Sequence, residues 1–299
     1  MIGMADSPAQ SQPGERLRAG LVQLRVGDDP DANLGDTVDL VRHAAQAGCS
    51  FVLTPEVTNV LSPDRRRQAD VLHPQSDDPT LVALRGQAAE LGIWLLIGSL
   101  SLRGEGADDR FVNRSFMIDP KGRIVAQYDK IHMFDVAISQ TETFRESDAF
   151  RPGMRAVVAQ GPVPVGMTIC YDLRFPGLFR ELAKAGARIL TVPAAFNPTT
   201  GNAHWQVLLR ARAIETGCFV LAPAQTGTHP ATHSPDRRPR VSYGHSLAVS
   251  PWGEVLADGG EAPGVTVIDL DLTEVDRARS RIPSIAHDRA YALPGSDDS

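Results

Sequence analysis

Cysteine is scarce in this chain. Three occur in 299 residues, Cys49, Cys170 and Cys218, an odd number at wide spacing. That argues against a disulfide framework and for a reducing compartment, so a cytoplasmic location is expected. No CxxC pair is present and no histidine pair is read as metal-ligand spacing, so no metal is expected. No apolar run approaches the ~18 residues of a membrane span. Residues 1–16 are rich in Ser, Pro, Gln and Gly and lack an apolar core segment. They read as a disordered tail rather than a secretory signal. A basic excess is missing as well. The 36 acids against 30 bases give a net charge of −6, which draws in neither nucleic acid nor an anionic membrane. Arg65-Arg66-Arg67 reads as a solvated helix face. The expected partner is a small molecule.

What is present is an alternation of apolar segments and turn signals. Hydrophobic content of 42% suffices for a large core, in one α/β domain or two. Strands are predicted over 17–26 and 49–56, with a helix over 31–47 between them, capped by Asp31 and stopped by Gly48. A helix over 80–91 leads to a strand over 93–102. A hairpin over 111–118 and 123–128 turns on Asp119-Pro120-Lys121-Gly122. Residues 131–153 are long, polar and irregular, the mark of a functional loop. A buried strand over 163–169, a helix over 177–185 and a strand over 188–193 follow. A loop over 194–201, a helix over 204–216 and a strand over 218–224 come next. The Pro/His/Arg-rich stretch 226–240 is expected to be mobile at its tip. A hairpin over 242–250 and 254–257, a strand over 265–270 and a helix over 273–281 complete the pattern. The two halves share this rhythm without sequence identity. With no linker between them, one domain of two sheets with helices outside is expected, an α-β-β-α sandwich. It covers 17–285, between tails at 1–16 and 286–299.

Chemistry-bearing residues stand where strands end. Cys170 closes a buried strand just before a helix, where helix amides would favour a thiolate nucleophile. Glu56 ends the second strand and Lys130 follows the first hairpin. No histidine has a supporting pattern; His132 lies apart from any obvious orienting acid. A carboxylate of raised pKa can serve a thiol as base, and a lysine beside both can stabilise an oxyanion.

Thr54-Pro55-Glu56, Tyr128-Asp129-Lys130-Ile131-His132 and Cys170-Tyr171-Asp172-Leu173-Arg174-Phe175-Pro176 resemble, in order, the three catalytic motifs of the nitrilase superfamily. Glu146-Ser147 with Pro152-Gly153 is similar to its second-glutamate segment. Pro193 to Phe196, Thr200-Gly201, His204-Trp205, Leu209 to Glu215, Ser242 to Ser246 and Pro251-Trp252-Gly253 extend the likeness over about residues 17–285. The resemblance implies the α-β-β-α fold, assembly into a homodimer or higher homo-oligomer, and hydrolysis of carbon–nitrogen bonds without metal or cofactor. It implies Glu56 as general base, Lys130 as charge stabiliser, Cys170 as nucleophile and Glu146 as a second acid positioning Lys130. Tyr171, Arg174, Phe196 and Asn197 are implied as substrate residues, with Arg174 on a substrate carboxylate. Tyr171-Asp172 after the nucleophile is similar to the amidase branches, and the later segments to deaminated-glutathione amidases and omega-amidases. The implied reaction turns a carboxylate-bearing ω-amide into acid plus ammonia through a cysteine thioester. The alternatives are hydrolysis of N-carbamoyl amino acids and a non-catalytic scaffold. Gln206 departs from the family's usual Glu and is expected to alter a contact near the site.

Overall fold

The computed structural model describes residues 16–291 except 105, 107, 109 and 139–142. Most of the tails expected at 1–16 and 286–299, and residues 139–142 of the 131–153 loop, lie outside the described residues; Arg16, expected in the first tail, opens the first strand. The first half supplies β1 (Arg16–Gln23), α1 (Pro30–Gln46), β2 (Phe51–Leu53), α2 (Arg65–Val71), α3 (Pro79–Leu91), β3 (Trp94–Leu102), β4 (Val112–Ile118) and β5 (Ile124–Asp129). After a short hairpin, β6 (Asp135–Ala137) and β7 (Thr143–Arg145), the second half runs β8 (Val157–Gln160), β9 (Pro164–Met167), α4 (Pro176–Lys184), β10 (Ile189–Thr191), α5 (Pro198–Thr216) and β11 (Phe219–Ala222). It ends with β12 (Thr226–Thr228), β13 (Val241–Tyr243), β14 (Leu247–Val249), β15 (Val255–Asp258), β16 (Gly264–Asp271) and α6 (Thr273–Arg281). No helix of the described residues is long and apolar enough to cross a membrane.

The sheet orders are β16-β1-β2-β3-β4-β5 and β15-β14-β11-β10-β9-β8. Each has three parallel strands at its centre, β1-β2-β3 and β9-β10-β11, flanked by antiparallel ones. Side chains alternate across a strand, and this alternation makes the layers. Phe51 and Leu53 join Leu96 and Met117 in the core shared with Val165, Met167 and Leu190 of the other sheet. Val52, Leu95 and Ile97, one residue out of step, pack with Val41 of α1 and Leu84 of α3. Each such side chain contributes about 1.5–3 kcal/mol on burial. The four-layer sandwich is the expected fold.

The strands over 49–56 and 163–169 are shorter than expected, and helices begin earlier than expected, at a proline: α4, for one, opens at Pro176 rather than Gly177. Asp29, not Asp31, caps α1, accepting from the amides of Asp31 and Ala32 with Pro30 in the first turn. Pro79 likewise opens α3 behind its cap Asp78. The segment read as a loop over 194–201 is half helix: Asn197 caps α5 and Pro198 begins it. Gly201, which reads as a breaker, is needed inside that helix, because a Cβ there would lie 2.4 Å from Cγ of Tyr243.

The 226–240 stretch is anchored at both ends by β12 pairing with β13. His229 is buried, with Nδ1 2.6 Å from the Val26 carbonyl and Nε2 2.8 Å from Ser242 Oγ. Although His233 stands four residues on, both ring nitrogens of His229 are thus occupied by protein. Burial lowers the His229 pKa from 6.5 to about 4. Between those values the unfolded chain binds the proton that the folded chain refuses, so stability rises with pH across the window. Chemical denaturation should show a loss of stability as pH falls from 6.5 toward 4, and His229→Gln should flatten that slope. An unchanged slope would assign it to other groups.

Candidate active site

Parallel strands leave their carboxyl ends on one edge of a sandwich, where ligands commonly bind. The turn after β2 carries Glu56, the residue after β5 is Lys130, and the turn after β9 carries Cys170. Structure brings all three together, with Glu146 from the 3₁₀ turn Glu146–Asp148. Cys170 opens another 3₁₀ turn, Cys170–Arg174, at φ +50°. The left-handed region costs a residue with a Cβ roughly 1–2 kcal/mol. The strain turns the thiol out of the strand direction while the Cys170 amide donates to the Pro193 carbonyl at 2.9 Å. Gly98 permits the close approach of β3 to the Glu56 turn: a Cβ there would lie 2.0 Å from the Thr54 carbonyl oxygen. Gly153 does the same for Lys130. Its amide donates to the Lys130 carbonyl at 2.7 Å, and a Cβ would lie 2.2 Å from the Asp129 carbonyl oxygen.

Lys130 Nζ donates to Glu56 Oε1 at 2.8 Å and to Glu146 Oε1 and Oε2 at 3.0 and 2.9 Å. Glu56 Oε2 accepts from the Ala195 amide at 2.9 Å, and Glu146 Oε2 from the Phe134 amide at 2.6 Å. Lys130, Glu56 and Cys170 are all buried. Burial alone would lower the Lys130 pKa, but Glu146 and Glu56 outweigh it and hold the ammonium well above its ordinary value. Burial would raise Glu56, but Lys130 and the Ala195 amide hold it below the usual carboxylate range. Burial and the Glu56 charge push the Cys170 thiol well up, with Lys130 opposing. The resting site is therefore a carboxylate beside a neutral thiol, not the raised carboxyl and helix-stabilised thiolate expected from sequence. The short 3₁₀ turn is too weak a dipole to overcome burial next to an anion.

Asp172, fully buried, accepts from the Tyr128 hydroxyl at 2.7 Å, the Ile169 amide at 2.8 Å and the His132 amide at 3.1 Å. His132 Nδ1 lies 2.7 Å from the same carboxylate, and its ring stacks on Phe175 at 3.5 Å between centroids. His132 does have an orienting acid, then, 40 residues away in sequence. Asp172 ties the Lys130 segment to the Cys170 turn.

Sequence reasoning missed Asn113. Its Nδ2 donates to Glu56 Oε1 at 2.9 Å and to Glu146 Oε1 at 3.4 Å, bridging the two carboxylates. Its buried Oδ1 has no partner among the described residues. The signal was available: an amide inside a strand whose other buried residues are mostly apolar demands a partner. Hydrogen bonds to charged groups are worth about 1.5–3 kcal/mol. Asn113→Ala should therefore lower kcat/KM roughly 10- to 100-fold with the fold retained. Wild-type kinetics would show that the bridge does not support turnover.

Glu56, Lys130, Cys170 and Glu146 line a cavity of about 420 Å³. Tyr171, Phe196 and Asn197 line it as expected, with Phe134, Phe144 and Phe150 adding apolar wall. Arg174 does not line it. Its guanidinium packs 5.7 Å from the Tyr171 ring and 5.4 Å from the Phe196 ring, and Nη1 lies 3.3 Å from His204 Nδ1. Among the described residues Arg174 forms no ion pair with the nearby acids Asp172 or Glu181, and Asp172 is saturated by the contacts above. Gln206 is exposed on α5 and does not line the cavity, so it is not placed to alter a contact there. Arg65, in the run read as a solvated helix face, does line it, with Arg145 and Arg240.

Residues 18–280 match the family described as carbon–nitrogen hydrolase. The chain is 38% identical over 289 residues to the deaminated glutathione amidase of Yersinia enterocolitica, covering 95% of this chain and 98% of that protein. The structure is similar to the C. elegans NitFhit protein, at a TM-score of 0.83 and 33% identity; the match covers 92% of this chain and 65% of that one. It is also similar to a variant amidase from Nesterenkonia sp. that shows the result of Michael addition of acrylamide at its active-site cysteine. There the TM-score is 0.71 and identity 26%, over 89% of this chain and 98% of that one.

Proposed function

The chain belongs to the carbon–nitrogen hydrolase family of the nitrilase superfamily and is an amidase; from that premise we propose that it hydrolyses the amide of a carboxylate-bearing α-keto acid, deaminated glutathione first, with Cys170 as nucleophile. The observation that carries the reading is the buried Cys170 thiol on the same cavity as the Glu56 carboxylate and the Lys130 ammonium. The name of the Yersinia relative supports the substrate class.

In this mechanism Cys170 Sγ attacks the amide carbon as Glu56 takes the thiol proton. The oxyanion forms against the Lys130 ammonium and the Tyr171 amide. That amide lies in the first turn of its helix, where intrahelical acceptors are lacking. Glu56 passes the proton to the nitrogen, the carbon–nitrogen bond breaks, and ammonia leaves from a primary amide or an amine from a substituted one. Glu56 then takes a proton from water as it attacks the thioester, and returns it to the departing sulfur. Glu146 and Asn113 hold Lys130 and Glu56 in register. The exposed apolar side chains Val207 and Ile214 on α5, with Trp252 beyond β14, support a homodimer through that face. The absence of a disulfide framework supports a cytoplasmic setting.

The test is to incubate purified protein with deaminated glutathione, α-ketoglutaramate and an N-carbamoyl amino acid, detecting amine, ammonia and carbon dioxide separately. Amine or ammonia from the keto acid amides is expected. Carbon dioxide from the carbamoyl compound alone would overturn the substrate class.

The pH profile follows from the two shifts. Glu56, held below its ordinary 4.5, is already a base at pH 5, and Cys170, held above its ordinary 9.0, stays a thiol through neutrality. kcat/KM should be flat between roughly pH 6 and 8.5, with the acid limb set by Glu56 protonation. A continuous rise between pH 7 and 9 would indicate a free thiolate of ordinary pKa as the attacking species.

A further inference from the structure

The cavity carries two kinds of cation. Lys130 is buried and its ammonium is bound by Glu56 and Glu146, the two carboxylates of the lining. Arg65, Arg145 and Arg240 are exposed, and they come from three separate places: the start of α2, the end of β7 and the residue before β13. Among the described residues their charges are only partly compensated: Asp135, the cross-strand partner of Arg145, has its carboxyl lowered in part by that arginine. The closest acid to Arg65 is Asp148 at 3.5 Å, with both side chains 58% exposed, an arrangement of little energetic weight. Arg65 Nη2 also donates to the Arg145 carbonyl at 3.3 Å, which brings the two chain segments together. Arg240 lies over the Phe144 ring at 5.7 Å, a contact that fixes the guanidinium plane without neutralising it. A chain of charge −6 thus gathers three arginines on one cavity whose own carboxylates are already paired.

We propose that Arg65, Arg145 and Arg240 form the receptor for the carboxylate that lies farthest from the scissile amide, so that the cavity selects amides bearing a second carboxylate on the nitrogen side. Guanidinium forks bind carboxylates by two parallel hydrogen bonds, and three around one opening relieve their mutual repulsion by taking an anion. The catalytic groups sit at the buried end of the cavity and the arginines at its exposed end. A carboxylate reaches them only at a distance from the amide that Cys170 attacks, and the nitrogen substituent of deaminated glutathione carries such a carboxylate. The assignment rests on the amidase reading, with Cys170 at the reacting end.

The test compares deaminated glutathione with its C-terminal glycinamide, which differs only in the far carboxylate. Wild type should prefer the acid. Arg65→Gln, Arg145→Gln and Arg240→Gln should each lower kcat/KM on the acid about tenfold, mainly through KM, and the triple variant should erase the preference. Arg174→Gln should keep it. Raising salt from 50 to 500 mM should raise KM for the acid more than for the amide, because the arginines are exposed. A preference that survives in the triple variant, or that collapses in Arg174→Gln instead, overturns the assignment. Calorimetry in a Cys170→Ala background separates this from the amidase reading. There the acid should bind at least tenfold more weakly when the three arginines are replaced. Failure of turnover with this binding intact would sink the amidase reading alone, and equal binding with or without the arginines would sink the receptor.

Discussion

Cys170→Ala is expected to yield a folded chain whose turnover of every amide falls by at least about 10⁴-fold, as loss of a nucleophile that acts with its base as one unit does. Neither other thiol can replace it: Cys49 lies in the core under α1, and Cys218 is buried with Sγ directed to the Ala187 carbonyl. Iodoacetamide should label Cys170 first, since it alone of the three lines the cavity. Labelling should nevertheless be slow at neutral pH, because burial and Glu56 keep the thiol protonated. Cys170→Gly adds a control. Glycine accepts φ +50° without a Cβ penalty, so it should be about 1 kcal/mol more stable than Cys170→Ala while equally inactive. Mass spectrometry of the labelled protein and amine release by each variant decide the matter. Activity retained by Cys170→Ala would remove the thioester from the mechanism.

Lys130→Met should lose both activity and stability. Removal of one oxyanion donor costs about 10²–10³ in rate. The structural loss comes from elsewhere. Glu56 and Glu146 both lose the buried ammonium between them, with Lys130 at 2% exposure and Glu56 at 5% in their side chains. Breaking a buried ion pair by removing one partner costs about 3–5 kcal/mol. In a chain of this size that lowers Tm by roughly 5–15 °C. Without the ammonium the pKa of a buried carboxyl rises, so one should take up a proton, and the loss is greater at pH 8 than at pH 5. Calorimetric melting at the two pH values measures it. An unchanged Tm at pH 8 would mean that the two carboxylates are not held together by Lys130.

His132 shows why some of the site could not be read from the chain. Its acid, Asp172, is 40 residues away, and only packing of the Lys130 segment on the Cys170 turn joins them. Asn113, on β4, meets Glu56 from the turn after β2 only because the sheet lays β3 between those strands. The arginines of the cavity come from three segments that have no common pattern in sequence.

What the sequence determined by itself follows from short-range physics. Short apolar runs bounded by turn signals marked most of the strands, though not β6, β7 or β8. Proline, glycine and caps marked most of the helices to within a residue or two, though not the start of α5, and the order of strand-end Glu56, Lys130 and Cys170 was plain. Each of these depends on a residue and its near neighbours. Only the tertiary structure decided that β16 closes the sheet beside β1 rather than the sheet it follows in sequence. It also decided that the Cys170 thiol rests protonated, and that Arg174 packs on rings while Arg65, Arg145 and Arg240 line the cavity. Strand pairing, desolvation and charge proximity are sums over neighbours distant in sequence, and no local pattern carries them.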